Sequence, residues 1–170
     1  KTVTITADSD TKVYDGTAVT NNGYTHTALA AGDVVYSVNV EGSQTVVGSS
    51  DNVPSEAVIK NAANEDVTAS YEITYANGTL EVTKKTVTIT AASDTKVYDG
   101  TALTKDSYTN SDLATGDVIE SVTVTGSITE VGTVANVPSD AGIKNADGED
   151  ATESYAITYT NGTLEVTPKA

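Results

Sequence analysis

His26 is the one histidine of the chain and so its one candidate for proton transfer near neutral pH. Asp8 and Asp10 form a carboxylate pair of the kind used in general acid–base work. Acidic runs at Asp8-Ser9-Asp10, Glu65-Asp66 and Asp147-Gly148-Glu149-Asp150 raise the question of calcium. None has the oxygen-ligand spacing of a calcium loop, because the glycine and the terminal glutamate are misplaced. Lys12, Lys60, Asn52 and Asn61, with Glu65, supply residue types of an isopeptide crosslink from Lys to Asn or Asp with a nearby acid, although its usual motif is absent. Tyr14 and Tyr24, with Tyr98 and Tyr108, are the tyrosines to consider for stacking on a sugar or packing at an interface. Because Tyr14 follows Val13, one side chain of that pair is expected in the core and the other at its edge.

An internal repeat decides most of these cases. The segment KTVTITADSDTKVYDGTAVT from Lys1 returns as KTVTITAASDTKVYDGTALT from Lys85, and the offset of 84 holds to the end without an insertion. About 57 of the 84 aligned positions are identical. Asn110 stands where the first copy has His26, and Ala92 where it has Asp8, so neither is a property of the module. No enzymatic role is expected. The crosslink candidates do recur, as Lys96, Lys144, Asn136, Asn145 and Glu149. Each copy is long enough to bury its own core, so the expected organisation is module 1 over 1–84 and module 2 over 85–168. Residues 169–170 read as a tail or the start of a further repeat, and the whole as a fragment of a longer protein. The copies differ mainly at Asn21-Asn22-Gly23, His26-Thr27-Ala28 and Ser49-Ser50-Asp51, which reads as loop and surface variation.

A net charge of −15 argues against partners held through phosphate, so neither nucleic acid nor an anionic membrane surface is expected. There is no Cys, Met, Trp or Phe. The core must come from Val, Ile, Leu, Ala and Tyr, and disulfides and thiolate metal sites are excluded. No cofactor is implied, and almost nothing in the chain can be oxidised, which suits an exposed location. No apolar run is long enough to span a bilayer.

The elements read as short strands. Val3 and Ile5 alternate with Thr2, Thr4 and Thr6, and Val34, Tyr36, Val38 and Val40 alternate before Gly42. Val46-Val47-Gly48 and Ala57-Val58-Ile59 read as two shorter strands, with Pro54 at a bend or edge between them. Asn77-Gly78, and Asn161-Gly162 in the second copy, are the favoured pair for a two-residue type I′ hairpin turn. That register puts Tyr71, Ile73, Tyr75, Leu80 and Val82 on one face and Glu72, Thr74, Glu81 and Thr83 on the other. Thr27 to Ala31, and Ser111 to Ala114, have room for one helical turn, too short for the packing helix of a β-grasp fold. The expectation is all-β, with two tandem immunoglobulin-like β-sandwich modules; a β-grasp-like module is the alternative. Between Thr79 and Thr90 the chain has no Gly, Pro or Ser, so an extended, semi-rigid pair is expected.

Lys12-Val13-Tyr14-Asp15-Gly16-Thr17, then Gly32-Asp33, Gly48 and the closing Tyr71…Asn77-Gly78-Thr79-Leu80…Val82-Thr83 resemble the MBG/YDG repeats. Those repeats form tandem arrays in large bacterial surface proteins and adhesin stalks. The resemblance covers essentially the whole chain, twice. It implies a β-rich module and an extracellular location on the bacterial surface, anchored through a region outside this segment. It implies no catalytic residues. The expected function is a monomeric stalk or spacer whose partners are the neighbouring repeats of its own chain. The alternative is an adhesive module for a host glycan or matrix protein, recognised through the variable loops.

Overall fold

The computed structural model describes residues 1–170. The chain is all-β, with sheets curled into half-barrels, and divides into two compact units, Lys1–Thr83 and Lys84–Ala170. Unit 1 contains β1 (Thr2–Ala7), β2 (Asp10–Val13), β3 (Tyr24–His26), β4 (Val34–Glu41), β5 (Gly48–Lys60), β6 (Glu72–Ala76) and β7 (Gly78–Thr83). Unit 2 repeats them as β8 (Lys85–Ala91), β9 (Asp94–Val97), β10 (Tyr108–Asn110), β11 (Val118–Thr125), β12 (Gly132–Lys144), β13 (Tyr155–Thr160) and β14 (Gly162–Thr167).

Each unit has a three-stranded and a four-stranded sheet, ordered β3-β1-β6 and β2-β7-β5-β4 in unit 1. β1 and β6 are parallel, with Thr2 opposite Glu72 and Thr6 opposite Ala76. β2 and β7 are also parallel, with Asp10 opposite Leu80 and Val13 opposite Thr83. The first and last strands of the unit thus run side by side in one register and leave the first sheet for the second together. The alternation of β1 puts Val3, Ile5 and Ala7 inside, and that of β7 puts Leu80 and Val82 inside. With Ala57 and Ile59 of β5 these form the core. Full burial of each large aliphatic side chain is worth roughly 1.5–3 kcal/mol.

The expected hairpin does not form. β6 and β7 lie in different sheets and do not pair. Neither Asn77 nor Gly78 takes the positive φ that a type I′ turn requires, and the same holds for Asn161 and Gly162. The alternation holds along β7, whereas β6 leaves Tyr75, expected on the inner face, 42% exposed; their partners are β1 and β2 rather than each other. Gly78 is needed for another reason: a Cβ there would lie 2.2 Å from the Asp8 carbonyl oxygen and 2.6 Å from that of Ala7. At Gly162 the corresponding distances are 2.3 Å to Ala92 and 2.6 Å to Ala91. Two backbones pass at this corner with no room for a side chain.

Of the two short strands expected around Pro54, Ala57-Val58-Ile59 lies within one strand of 13 residues, β5, which starts only at Gly48, while Val46 and Val47 form a bend before it. Its first part, Gly48 to Asn52, pairs with β7, and its remainder, from Val53, pairs with β4. Pro54 falls just past that hand-over, where only one flank of the strand is used, so its missing N–H costs no ladder bond. The segment before Gly32 forms a turn rather than a helical one. Asp33 N–H donates to Ala30 O (3.1 Å) with Gly32 at φ +88°, the geometry of a type II turn. The only helical elements are 3-10 turns at Thr68–Ser70 and Thr152–Ser154, so the β-grasp alternative lacks its helix.

Two irregularities in the β4–β5 pairing offset each other. Tyr36 is an extra residue on β4 between Val35 and Ser37. On β5, Glu56 and Ala57 together oppose Val38, with Glu56 at φ +52°. Unit 2 repeats this with Asp140 at φ +52°. Such paired bulges curl a sheet without shifting its later register.

Candidate functional site

The motif Lys12-Val13-Tyr14-Asp15-Gly16-Thr17 forms a closed corner at the end of the paired terminal strands. Asp15 Oδ1 accepts from Thr17 N–H (2.8 Å) and from Thr17 Oγ1 (2.7 Å). Lys12 Nζ lies 2.8 Å from the same oxygen and donates to Thr17 Oγ1 at 2.6 Å. Lys96, Asp99 and Thr101 reproduce the arrangement. Tyr14 N–H donates to Thr83 O (2.8 Å), tying the corner to the last strand.

This geometry corrects the expectation for Tyr14 as a surface contact: its side chain is only 5% exposed, while Val13 stands 54% exposed. Strand alternation sends one of the two inward, and the larger ring is the one that fills the core. Tyr98 is half-buried against the cluster of Leu103, Leu164 and Val166. Tyr24 and Tyr108 are half-buried at the starts of β3 and β10.

The hydrogen bond from Lys12, then those from Thr17, hold the Asp15 carboxyl down at about 2, from an ordinary value of 3.8. Asp99 is displaced in the same direction by Lys96 and Thr101. A carboxyl whose folded pKa is depressed contributes stability that is complete above its unfolded value and is lost as pH falls through the folded value. Urea midpoints measured as a function of pH are therefore expected to decline between about 3.8 and about 2. Asp15→Asn together with Asp99→Asn should flatten that decline, and an unchanged profile would exclude this corner as its source.

A second cluster pins the place where the terminal strands change sheets. Asn52, fully buried on β5, donates from Nδ2 to Asp8 O (2.9 Å) and to Asn21 O (2.8 Å). Its Oδ1 has no hydrogen-bond partner and faces Gly42, where a Cβ would come within 2.7 Å of it. Asn136 does the same with Ala92 O (2.9 Å) and Lys105 O (2.7 Å). Thr79 N–H donates to Ser9 Oγ (2.9 Å) across the corner.

Differences between the copies are coupled here. A Cβ on Gly23 would lie 2.2 Å from Asp8 Oδ2. Unit 2 has Ser107 in place of Gly23 and Ala92 in place of Asp8, so the side chain has moved from one partner to the other. Gly23→Ser alone should cost unit 1 at most about 1 kcal/mol, because the atoms it meets are the movable ends of the Asp8 and Asn21 side chains. Adding Asp8→Ala should recover most of that loss in a double-mutant cycle measured by urea denaturation. Additive losses would show that the two positions do not share this space.

Tyr71, just before β6, and Tyr75 within it act through their hydroxyls. Tyr71 Oη accepts from Ala30 N–H (2.9 Å) and donates to Asp33 Oδ2 (2.6 Å), closing the turn at Gly32. Tyr75 Oη accepts from Ala57 N–H (2.9 Å), the amide next to the bulge at Glu56. Tyr36 is the tyrosine that reasoning from the motif missed. It is 62% exposed, and Lys60 Nζ sits 3.6 Å from its ring centroid. In unit 2 the same two positions form the Glu120–Lys144 ion pair at 2.5 Å. Alternation along Val34–Val40 could not reveal it, because Val34 and Tyr36 face out together and the bulge at Tyr36, a property of the strand pair, turns Val38 and Val40 to the other side.

Other candidates are dispersed. His26 is exposed, with Nδ1 2.9 Å from Thr27 O. Lys12 is engaged with Asp15 and Lys60 with Tyr36, while Asn52 bonds two carbonyls and Asn61 bonds Glu65 at 2.9 Å. The asparagines and lysines weighed for a crosslink are therefore not partners. In the acidic runs, Asp66 accepts from Thr68 N–H (2.9 Å) and Asp150 from Thr152 N–H (2.9 Å), both closing local turns. Unit 2 carries a cleft of about 290 Å³ lined by Thr104, Lys105, Asp106, Val124, Thr125 and Gly126.

The geometry defines a β-rich module with its connected side chains placed at strand corners. No protein-family model matches the chain, and no curated protein is significantly similar to it.

Proposed function

We propose that the chain is a pair of stalk or spacer repeats of the MBG/YDG type from a bacterial surface protein, each unit an immunoglobulin-like two-sheet module. The observation that carries this reading is the parallel pairing of the first and last strands in each unit. A chain whose terminal strands are parallel enters a unit at one end and leaves at the other, which is what serial stacking along a stalk requires. Lys84 alone separates β7 from β8, so the junction has little slack. A charge of −15 keeps neighbouring copies apart and soluble. Solution scattering with sedimentation tests the reading. An elongated monomer is expected, and a compact or freely hinged particle would overturn it.

One observation favours adhesive recognition as the second reading. Lys105, Asp106 and Thr125 in the cleft replace Asn21, Asn22 and Glu41 of the first copy, so variable positions line a concave surface. Saturable binding of the chain to glycan or matrix arrays, lost in Lys105→Asn with Asp106→Asn, would establish that reading.

A further inference from the structure

The two ends of each unit are joined by the longest parallel pairing in it. In unit 1, five residue pairs join β1 to β6 and four join β2 to β7. In unit 2, six pairs join β8 to β13 and four join β9 to β14. The register does not slip at the corner, because both strands change sheets together. Side chains add links along the line. Thr4 and Thr74 hydroxyls are 2.9 Å apart, Thr79 N–H donates to Ser9 Oγ (2.9 Å), and Thr83 Oγ1 donates to Lys12 O (3.3 Å).

Each terminal strand is also held on its other flank in one sheet. β1 is central between β3 and β6, and β7 is central between β2 and β5. Neither can be drawn out along its own axis without breaking two ladders at once.

We propose that this pairing is a shear clamp, and that each unit serves to bear tension applied between its two ends. The use of such a clamp in a stalk rests on the stalk reading; the clamp itself rests on the strand order. When parallel neighbours are pulled from opposite ends, the evenly spaced inter-strand bonds are all loaded together. When they are pulled from the same end, the same bonds are loaded one after another. The resistance is thus directional and does not follow from equilibrium stability.

The absence of cysteine allows both geometries to be imposed on the intact 170-residue chain. Lys1→Cys with Lys84→Cys loads β1 and β7 from opposite ends. Lys1→Cys with Ser70→Cys loads β1 and β6 from the same end, since the Lys1 amine lies 3.1 Å from Ser70 O. All three positions lie outside the core, so the substitutions leave it untouched.

In single-molecule stretching, the Lys1–Lys84 tether should rupture at about twice the force of the Lys1–Ser70 tether or more, because several bonds share the load. The released lengths identify the events, at roughly 280 Å and roughly 230 Å less the folded spans, from about 3.4 Å per residue. Equal forces, or a weaker Lys1–Lys84 tether, would overturn the clamp. That result in a chain that scattering shows to be elongated would leave the stalk reading in place. A strong Lys1–Lys84 tether in a compact or hinged chain would keep the clamp and remove the stalk.

Discussion

Gly78→Ala should unfold unit 1 and leave unit 2 folded. An added Cβ would sit 2.2 Å from the Asp8 carbonyl oxygen, 2.6 Å from that of Ala7 and 2.7 Å from the Asp8 carbonyl carbon. All three atoms are backbone, so no rotamer change relieves the overlap. The two strands would have to separate at the corner where Thr79 N–H meets Ser9 Oγ and where Asn52 reaches Asp8 O. The cost should fall in the diagnostic tail of point mutations, about 4 kcal/mol or more. A unit of this size has only roughly 4–12 kcal/mol to lose. The amide NMR spectrum should then lose the dispersed resonances of residues 1–83 and keep those of 85–168. Gly162→Ala should do the reverse, because its Cβ would meet Ala92 O at 2.3 Å. Wild-type-like spectra for both variants would show that the strands do not cross this closely. Had Gly78 been a hairpin glycine, the substitution would act through backbone strain alone, and its effect would be closer to about 1 kcal/mol.

The second large effect is expected at Asn52. Its Nδ2 donates to both Asp8 O and Asn21 O, and the residue is completely buried. Asn52→Leu keeps the side chain's length and removes both donors. Depriving two half-buried carbonyls of this donor at about 1–3 kcal/mol each should cost about 3 kcal/mol, partly offset by removal of the unpartnered Oδ1. Asn52→Asp should be worse at neutral pH, because a buried carboxylate would face two carbonyl oxygens. Its folded pKa would then lie above the unfolded one, so the folded state binds more protons and stability rises as pH falls. Urea denaturation should therefore show the Asp variant recovering on acidification while the Leu variant does not. Parallel pH profiles for the two would mean that the amide donors are not what holds the corner.

Both experiments use the second unit as an internal reference, which the near-identity of the copies makes possible. The two cores are not equivalent, however. Ile128 and Val134 pack against Leu103, Leu164 and Val166 in unit 2. At those positions unit 1 has Gln44, which donates to Val46 O (2.8 Å), and Ser50, which donates to Ser43 O (3.0 Å). One unit closes that end with apolar contacts and the other with local hydrogen bonds.

The sequence alone determined that the protein is all-β, that it is built twice, and which residues face inward along its most regular strands. Period-2 alternation and the 84-residue repeat are local or self-referential signals, and Val3, Ile5, Leu80 and Val82 are buried as that alternation requires. It also separated module-wide chemistry from accident, since His26 and Asp8 fail to recur.

Only the tertiary structure decided which strands are neighbours. Asn77-Gly78 has the composition of a hairpin turn, but a turn pair prefers its conformation by only a few kcal/mol or less, and competing ladders outweigh it. Here β6 finds β1 and β7 finds β2 and β5, partners remote in sequence, and the glycine serves close approach instead of positive φ. Pro54 misled in the same way, because whether a missing N–H matters depends on which flank of β5 is occupied. Two outcomes follow from pairing: Tyr14 fills the space beside the last strand, and the bulge at Tyr36 puts Val38 and Val40 on the side opposite Val34 and Tyr36. Alternation along a strand is fixed by covalent geometry. Neighbours across strands are fixed by the sum of many weak contacts, which no short segment encodes alone.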